Sequence, residues 1–308
     1  MPALDPSPAP PNMLGGIALR LAAMLGLALM FVVVKLVAEH GIHIAESLFW
    51  RQAFALPFVL VWALTHGGLS ILRTRRLAAH SRRAAMGLAG MAMNFGGMIL
   101  LPMAEATTIS LSVPIFATIF AALLLGEPTG RARWSAVVLG FVGVLVVVQP
   151  GSGGAFGGNH MSGALVALGG AIMTALITIA VRDLGRTENT VATVFWFSFL
   201  SLIPLGAAMP FVWVPHSAGD WGLLVLLGLS GAVVQMCLTG ALRLAPVSVV
   251  IPMDYSSLLW SIGFGWWFFD TLPATTTWLG APIIIGSGLF IAWREHVKAV
   301  ARAKEITA

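Results

Sequence analysis

Ten apolar runs, most of them near 20 residues, fill the chain at roughly 17–37, 47–66, 84–103, 106–125, 133–149, 161–181, 190–210, 221–242, 246–269 and 275–293. About 20 apolar residues is the length at which an α-helix crosses the hydrocarbon core of a bilayer. In that core each backbone N–H and C=O must find its partner internally, so runs of this length can only be helices. The runs therefore predict an all-α polytopic membrane protein with ten transmembrane helices. Hydrophobic residues are 58% of the chain and charged residues 9%, where a soluble domain carries about 25% charged. A mean hydropathy of +0.92 excludes a large soluble core. The strongest joint is QPGSGGAFGGNH at 149–160, too rich in glycine to be helical; the weakest is Pro102–Glu105.

Charge orients the bundle. Of 17 Lys and Arg, fourteen lie in the even-numbered connections or the C-terminal tail, five of them in the second connection (Arg73, Arg75, Arg76, Arg82, Arg83). The odd-numbered connections carry Glu39, Glu46, Glu105, Asp220 and Asp270 and no Lys or Arg. The positive-inside rule then puts both termini of a multi-pass protein in the cytoplasm. A pI near 10.3 is thus a matter of topology, not of nucleic-acid binding. Residues 1–14 read as a proline-rich, disordered cytoplasmic tail without the basic start of a secretory signal, and 295–308 as a basic cytoplasmic tail.

The chain also repeats itself. FWRQAFALP at 49–57 returns as FWFSFLSLIP at 195–204, and LLLGEPTGRARW at 123–134 matches WFFDTLPATTTW at 267–278. The first runs of the two halves start from Gly15 and Gly163, at nearly the same offset of about 147. Residues 15–150 and 159–294 thus form two five-helix halves joined by an outer linker at 151–158. Five crossings is an odd number, so the second half is inverted relative to the first. Such halves can exchange inward-open and outward-open shapes around a central cavity, which is how carriers work.

Two five-helix halves, each ending in an acidic residue with a nearby proline (GEP, then DTLP), a tryptophan and a glycine-rich last run, resemble EamA-type members of the drug/metabolite transporter superfamily. FWR at 49–51 and PMDY at 252–255 resemble motifs of its bacterial members, and the resemblance covers about residues 15–293. It implies a ten-helix bundle whose cavity is lined mainly by spans one, three, four, six, eight and nine. It also implies transport of small metabolites, often efflux of amino acids or toxic compounds, by proteins of the bacterial inner membrane.

Asp254, beside the only tyrosine, Tyr255, stands near the middle of span nine. A carboxyl at that depth costs roughly 2.5–3.5 kcal/mol unless it faces a bundle interior or a wet cavity. Asp254 is therefore expected either to carry a proton as the cavity alternates or to be a structural carboxyl bonded to a neighbouring helix. Ser257 shares its face, and Trp260 falls near the face of Tyr255, as packing or as a substrate contact. Pro252 and its counterpart Pro114 are expected to kink spans nine and four. Lys35 and Arg51, on the side otherwise free of basic residues, either snorkel to the outer interface or face the cavity and attract a carboxylate. Asn94 and Gln235 occupy equivalent depths in spans three and eight, as interhelical hydrogen bonds or as substrate readers. Thr107, Thr108, Ser110 and Ser112 run into Pro114, their hydroxyls free to bond their own helix or a substrate. Glu127 with Pro128, and Asp270 with Pro273, read as punctuation of helix ends.

The single Cys237 forms no disulfide framework, and the outer-face histidines 40, 43, 160 and 216 lack metal-ligand spacing. No metal, cofactor or nucleic acid is expected, and neither nucleotide motif nor catalytic cluster points to an ATP-driven pump or an enzyme. The reading is a secondary carrier, monomeric or weakly dimeric, exporting neutral or aromatic amino acids with or without protons. Carriage of a vitamin or nucleoside-like metabolite, in either direction, or drug efflux stands as the alternative.

Overall fold

The computed structural model describes residues 13–66, 68–124, 126, 130–148, 159–185, 187–245 and 247–307. Glu127, Pro128, the tail before residue 13 and the linker at 151–158 lie outside the described residues. Twelve α-helices follow in order: α1 (Met13–Glu39), α2 (Ile44–His66), α3 (Leu77–Leu100), α4 (Met103–Ser110), α5 (Val113–Leu124), α6 (Arg131–Val148), α7 (Asn159–Leu184), α8 (Thr190–Val212), α9 (Ala218–Leu244), α10 (Val247–Val250), α11 (Ser256–Phe269) and α12 (Thr275–Thr307). Among the described residues there is no strand. Among the described residues eight spans are long and apolar enough to cross a membrane, with α4 and α5 counting together as Met103–Leu124. Outside those eight stand α3, whose first turns carry His80, Arg82 and Arg83, and the α10–α11 segment, which is interrupted midway. The basic tail is not irregular; its backbone continues α12 as helix to Thr307.

The two interruptions occupy equivalent places in the two halves. Between α4 and α5, Ser112 N–H bonds the Ile109 carbonyl at 3.0 Å, a tighter turn than an α-helix makes. Pro114 follows within the first turn of α5, where its missing N–H costs nothing. Between α10 and α11, a 3-10 turn at Ile251–Tyr255 holds Pro252. Broken helices near the middle of a bundle leave backbone and side-chain polar groups beside a cavity rather than beside lipid.

Packing follows the sequence repeat. The closest partnerships are α3 with α7 and α1 with α9, which exchange when the halves are exchanged, and α2 with α8 and α6 with α12, each its own counterpart. Gly97 meets Ala167 while Gly90 meets Met173 and Ile177, so α3 and α7 run antiparallel. Gly16 meets Ala245 and Gly26 meets Val234, so α1 and α9 do likewise. The helix pairs that join the two halves thus run antiparallel around one centre. A Cβ on Gly97 would stand 2.8 Å from the Ala167 Cβ and 2.9 Å from its Cα, which accounts for glycine at that contact. In lipid, where apolar surface drives little association, such close backbone approach supplies the packing. Gly140 and Gly143 of α6 serve the same end against Ser287 and Ile284 of α12, within the chain.

One end of the bundle is closed. Val33, Val34, Val37, Leu48, Leu224 and Leu227 form a buried apolar plug there. Around it, three acids of the odd connections, Glu46, Glu105 and Asp220, pair with histidines. His216 Nε2 lies 2.7 Å from Glu46 Oε1, both side chains fully buried, and His160 Nε2 lies 2.9 Å from Glu105 Oε2. His40 Nδ1 stands 2.6 Å from Asp220, which also completes a capping box with Ser217 at the start of α9.

Candidate functional site

A cavity of about 640 Å³ runs from the middle of the bundle to its basic end. Its lining obeys helical periodicity. From α2 come Arg51, Gln52, Ala55, Phe58, Val59 and Trp62, and from α3 come Arg83, Gly87, Gly90, Met91, Asn94 and Phe95. Both sets recur at three- and four-residue steps, one stripe of each helix. The remaining walls come from α1, the α4–α5 break, the basic half of α7, the start of α8, the inner half of α9 and the α11 start.

Asp254 lies in the turn before α11 and lines the cavity, yet it is not a bare carboxylate. Arg20 of α1 donates from Nε to Oδ1 at 2.5 Å and from Nη2 to Oδ2 at 2.6 Å, a two-pronged ion pair. Both carboxylate oxygens thus face a partner on another helix, an arginine and not a serine or threonine. The Asp254 side chain is 32% exposed and that of Arg20 is 12% exposed. Arg20 lies near the start of α1, 234 residues from Asp254 in sequence, and only the fold brings the two together.

Around the pair, Ser257 donates its hydroxyl to the Asp254 carbonyl at 2.7 Å. Tyr255 lines the cavity with its hydroxyl end against the backbone of Gly288 on α12, where a Cβ would collide with it. Thr107 and Ser261 hydroxyls meet at 2.8 Å and tie α4 to α11, whereas Thr108 and Ser110 bond back to Ala104 and Ala106 of their own helix. Asn94 donates from Nδ2 to Thr174 Oγ1 at 3.1 Å, joining α3 to α7, and Gln235 contributes to the opposite wall from α9.

Lys35 and Trp260 are placed elsewhere. Lys35 Nζ donates to the carbonyls of Met98 and Leu101 at 3.2 and 3.0 Å, and lies 5.3 Å from the Phe269 ring centroid. It satisfies the C-terminal carbonyls of α3 and neutralises that end of the helix dipole, rather than facing the cavity. Trp260 stacks on Phe264 at the bundle's exterior, 37% exposed.

The remaining charges are cationic. Arg51 donates from Nη1 to Gln52 Oε1 at 3.2 Å and toward Met91 Sδ at 3.3 Å, while its Nε is buried without a partner. Arg83, assigned from sequence to topology, stands two turns into α3 with its guanidinium 3.9 Å from the Phe197 ring centroid. The signal that could have revealed it is its spacing: Arg83, Gly87, Gly90 and Asn94 share one stripe, and a run of apolar residues alone marks the helix start too late.

The EamA-like transporter family model matches the chain twice, over residues 14–149 and 161–293. Among similar proteins, a riboflavin transporter of Rhizobium johnstonii is 32% identical over 251 residues, which cover 82% of each chain. An S-adenosylmethionine uptake transporter of Rickettsia conorii is 28% identical, covering 86% of this chain and 87% of that one. A pseudopaline exporter of Pseudomonas aeruginosa is 27% identical, covering 88% of this chain and 93% of that one. One solved crystal structure is alike in fold alone, with a TM-score of 0.59 and 17% identity over 89% of this chain and 95% of the other.

Proposed function

This chain belongs to the EamA-like transporter family, and from that premise we propose that it is a secondary carrier for a metabolite of vitamin or nucleoside size. The observation that carries this reading is the cavity. Its volume of about 640 Å³ falls in the range of roughly 300–1,000 Å³ that encloses drug-sized ligands. Phe58, Phe95 and Phe197 are among its lining residues, as are the amide-bearing Asn94 and Gln235. A neutral amino acid, the cargo expected from composition, would leave much of that space to water. The relatives named for riboflavin and for S-adenosylmethionine support a cargo with a heteroaromatic ring.

Ten crossings, with the basic end in the cytoplasm, would make the present shape inward-facing. The buried plug and the histidine–acid pairs then form the outer closure. In an alternating-access carrier the direction of net flux follows the imposed gradients, so uptake and export use the same cavity.

Counterflow in proteoliposomes tests the reading. Labelled riboflavin or S-adenosylmethionine should exchange faster against internal unlabelled compound than in protein-free vesicles, and faster than phenylalanine. Fastest exchange of phenylalanine would restore the amino-acid reading. Exchange of none of the three above background would overturn the proposed cargo class.

A further inference from the structure

The cavity holds more positive charge than its own residues can use. Its charged lining residues are Arg51, Arg83 and Asp254, and the Asp254 carboxylate is engaged by Arg20 through both oxygens. No carboxylate among the described residues pairs with Arg51 or Arg83. Four buried nitrogens on one side of the cavity have no acceptor: Arg51 Nε, Gln52 Nε2, and Arg83 Nε and Nη1. All four are donors. A buried donor left unbonded is costly, and a buried cation without a counter-charge more so.

These groups form one connected patch. Gln52 Oε1 accepts from Arg51 Nη1 at 3.2 Å and lies 3.5 Å from Ser198 Oγ. Phe197, next to Ser198, supports the Arg83 guanidinium on its ring face. The arginine positive charges repel one another. Both are nevertheless held in place by small residues. A Cβ on Gly231 would lie 3.2–3.3 Å from three atoms of the Arg51 guanidinium, and one on Gly87 would lie 3.3 Å from Arg83 Nη1. Glycine therefore lets the α9 and α3 backbones close around the cations while offering them no acceptor. The geometry is that of a donor cradle lacking its acceptor.

We propose that Arg51, Gln52 and Arg83 form an oxyanion subsite, so that the cargo is anionic and presents a carboxylate or phosphate at this side of the cavity while its ring body fills the apolar remainder. The proposal rests on the carrier reading above and narrows its cargo class. Two guanidinium groups and an amide offer several N–H donors to oxygens of one group, which is the arrangement that planar arginine forks favour. An anion bound there also supplies a counter-charge to the two guanidinium groups.

Matched probes that differ by one oxyanion test this on the purified full-length protein at fixed ionic strength, with binding followed by thermal stabilisation. Riboflavin 5′-phosphate is compared with riboflavin, indole-3-acetate with indole-3-acetamide, and inorganic phosphate is titrated alone. At least one anionic member should bind about tenfold or more tightly than its neutral partner. The arm that shows the preference tells phosphate from carboxylate. Arg51→Gln and Arg83→Gln should each move the ratio toward one. Should either variant fail to fold, Phe197→Leu keeps both charges, removes the ring under Arg83 and should reduce the same ratio. Equal affinity within both pairs, or stabilisation by no anionic probe, overturns the subsite. So does an anionic preference that survives in the Arg51→Gln/Arg83→Gln double variant. Counterflow of neutral riboflavin without any anionic preference would leave the carrier reading intact while the subsite fails.

Discussion

Breaking the Arg20–Asp254 pair tests whether the central carboxylate is architectural. Asp254→Asn keeps one acceptor oxygen for the Arg20 fork and turns the other position into an N–H donor that faces a guanidinium donor. Arg20→Gln leaves the carboxylate facing the cavity without its counter-charge. Exposed ion pairs are worth about 0–1 kcal/mol, and loss of one partner of a fully buried pair costs about 3–5 kcal/mol. With side chains 12% and 32% exposed, this pair lies between the two limits, and each single substitution should destabilise by about 2 kcal/mol. The double substitution sets two amides opposite each other, able to hydrogen-bond, and should cost less than the sum of the singles by about 2 kcal/mol. Reversible unfolding in mixed micelles of dodecyl maltoside and SDS measures the cycle. Additivity within about 0.5 kcal/mol would refute the coupling. The same double variant, which has no titratable group at either position, should keep the wild-type response of transport to an imposed pH gradient. A selective loss of that response in folded protein would return Asp254 to the role of proton carrier.

Three further outcomes check the architecture. Lys35→Met should destabilise by about 1 kcal/mol through loss of the α3 carbonyl contacts while leaving KM for the cargo within about twofold; a selective rise in KM would put Lys35 on the cargo's path. Gly97→Leu should destabilise by at least 1–3 kcal/mol, because the new side chain meets the Ala167 backbone; Gly130→Ala, with nothing within 4 Å of its Cβ, should change stability little, and equal effects would contradict the α3–α7 contact. In a Cys237→Ser background, Ser110→Cys should react with a membrane-impermeant, water-soluble thiol reagent in solubilised protein, and Trp260→Cys only with a lipophilic one; the reverse pattern would misplace the cavity.

The sequence by itself determined the class, the alternation of charged connections, the internal repeat and the two broken spans. Each of these is a local signal. A bilayer demands about 20 apolar residues for every helix that crosses it, basic residues mark one side by simple count, and Pro114 and Pro252 disturb the backbone wherever they stand. The amides of Asn94 and Gln235 could be placed near mid-membrane from sequence, whereas Arg51 fits the outer interface or the cavity equally until the fold is known. Tertiary structure alone decided which of the charges meet. Arg20 and Asp254 are 234 residues apart, and the antiparallel packing of the halves, not their spacing, joins α1 to the turn before α11. Lys35 fits the outer interface or the cavity by sequence, and it is the end of α3 beside it that offers its Nζ two carbonyls. Arg83 looked like one more charge in a basic connection, because apolar content marks where lipid begins but not where a helix begins; α3 starts six residues earlier, at Leu77. Charge has no periodicity of its own, so the side chain that neutralises it depends on which helix folds opposite.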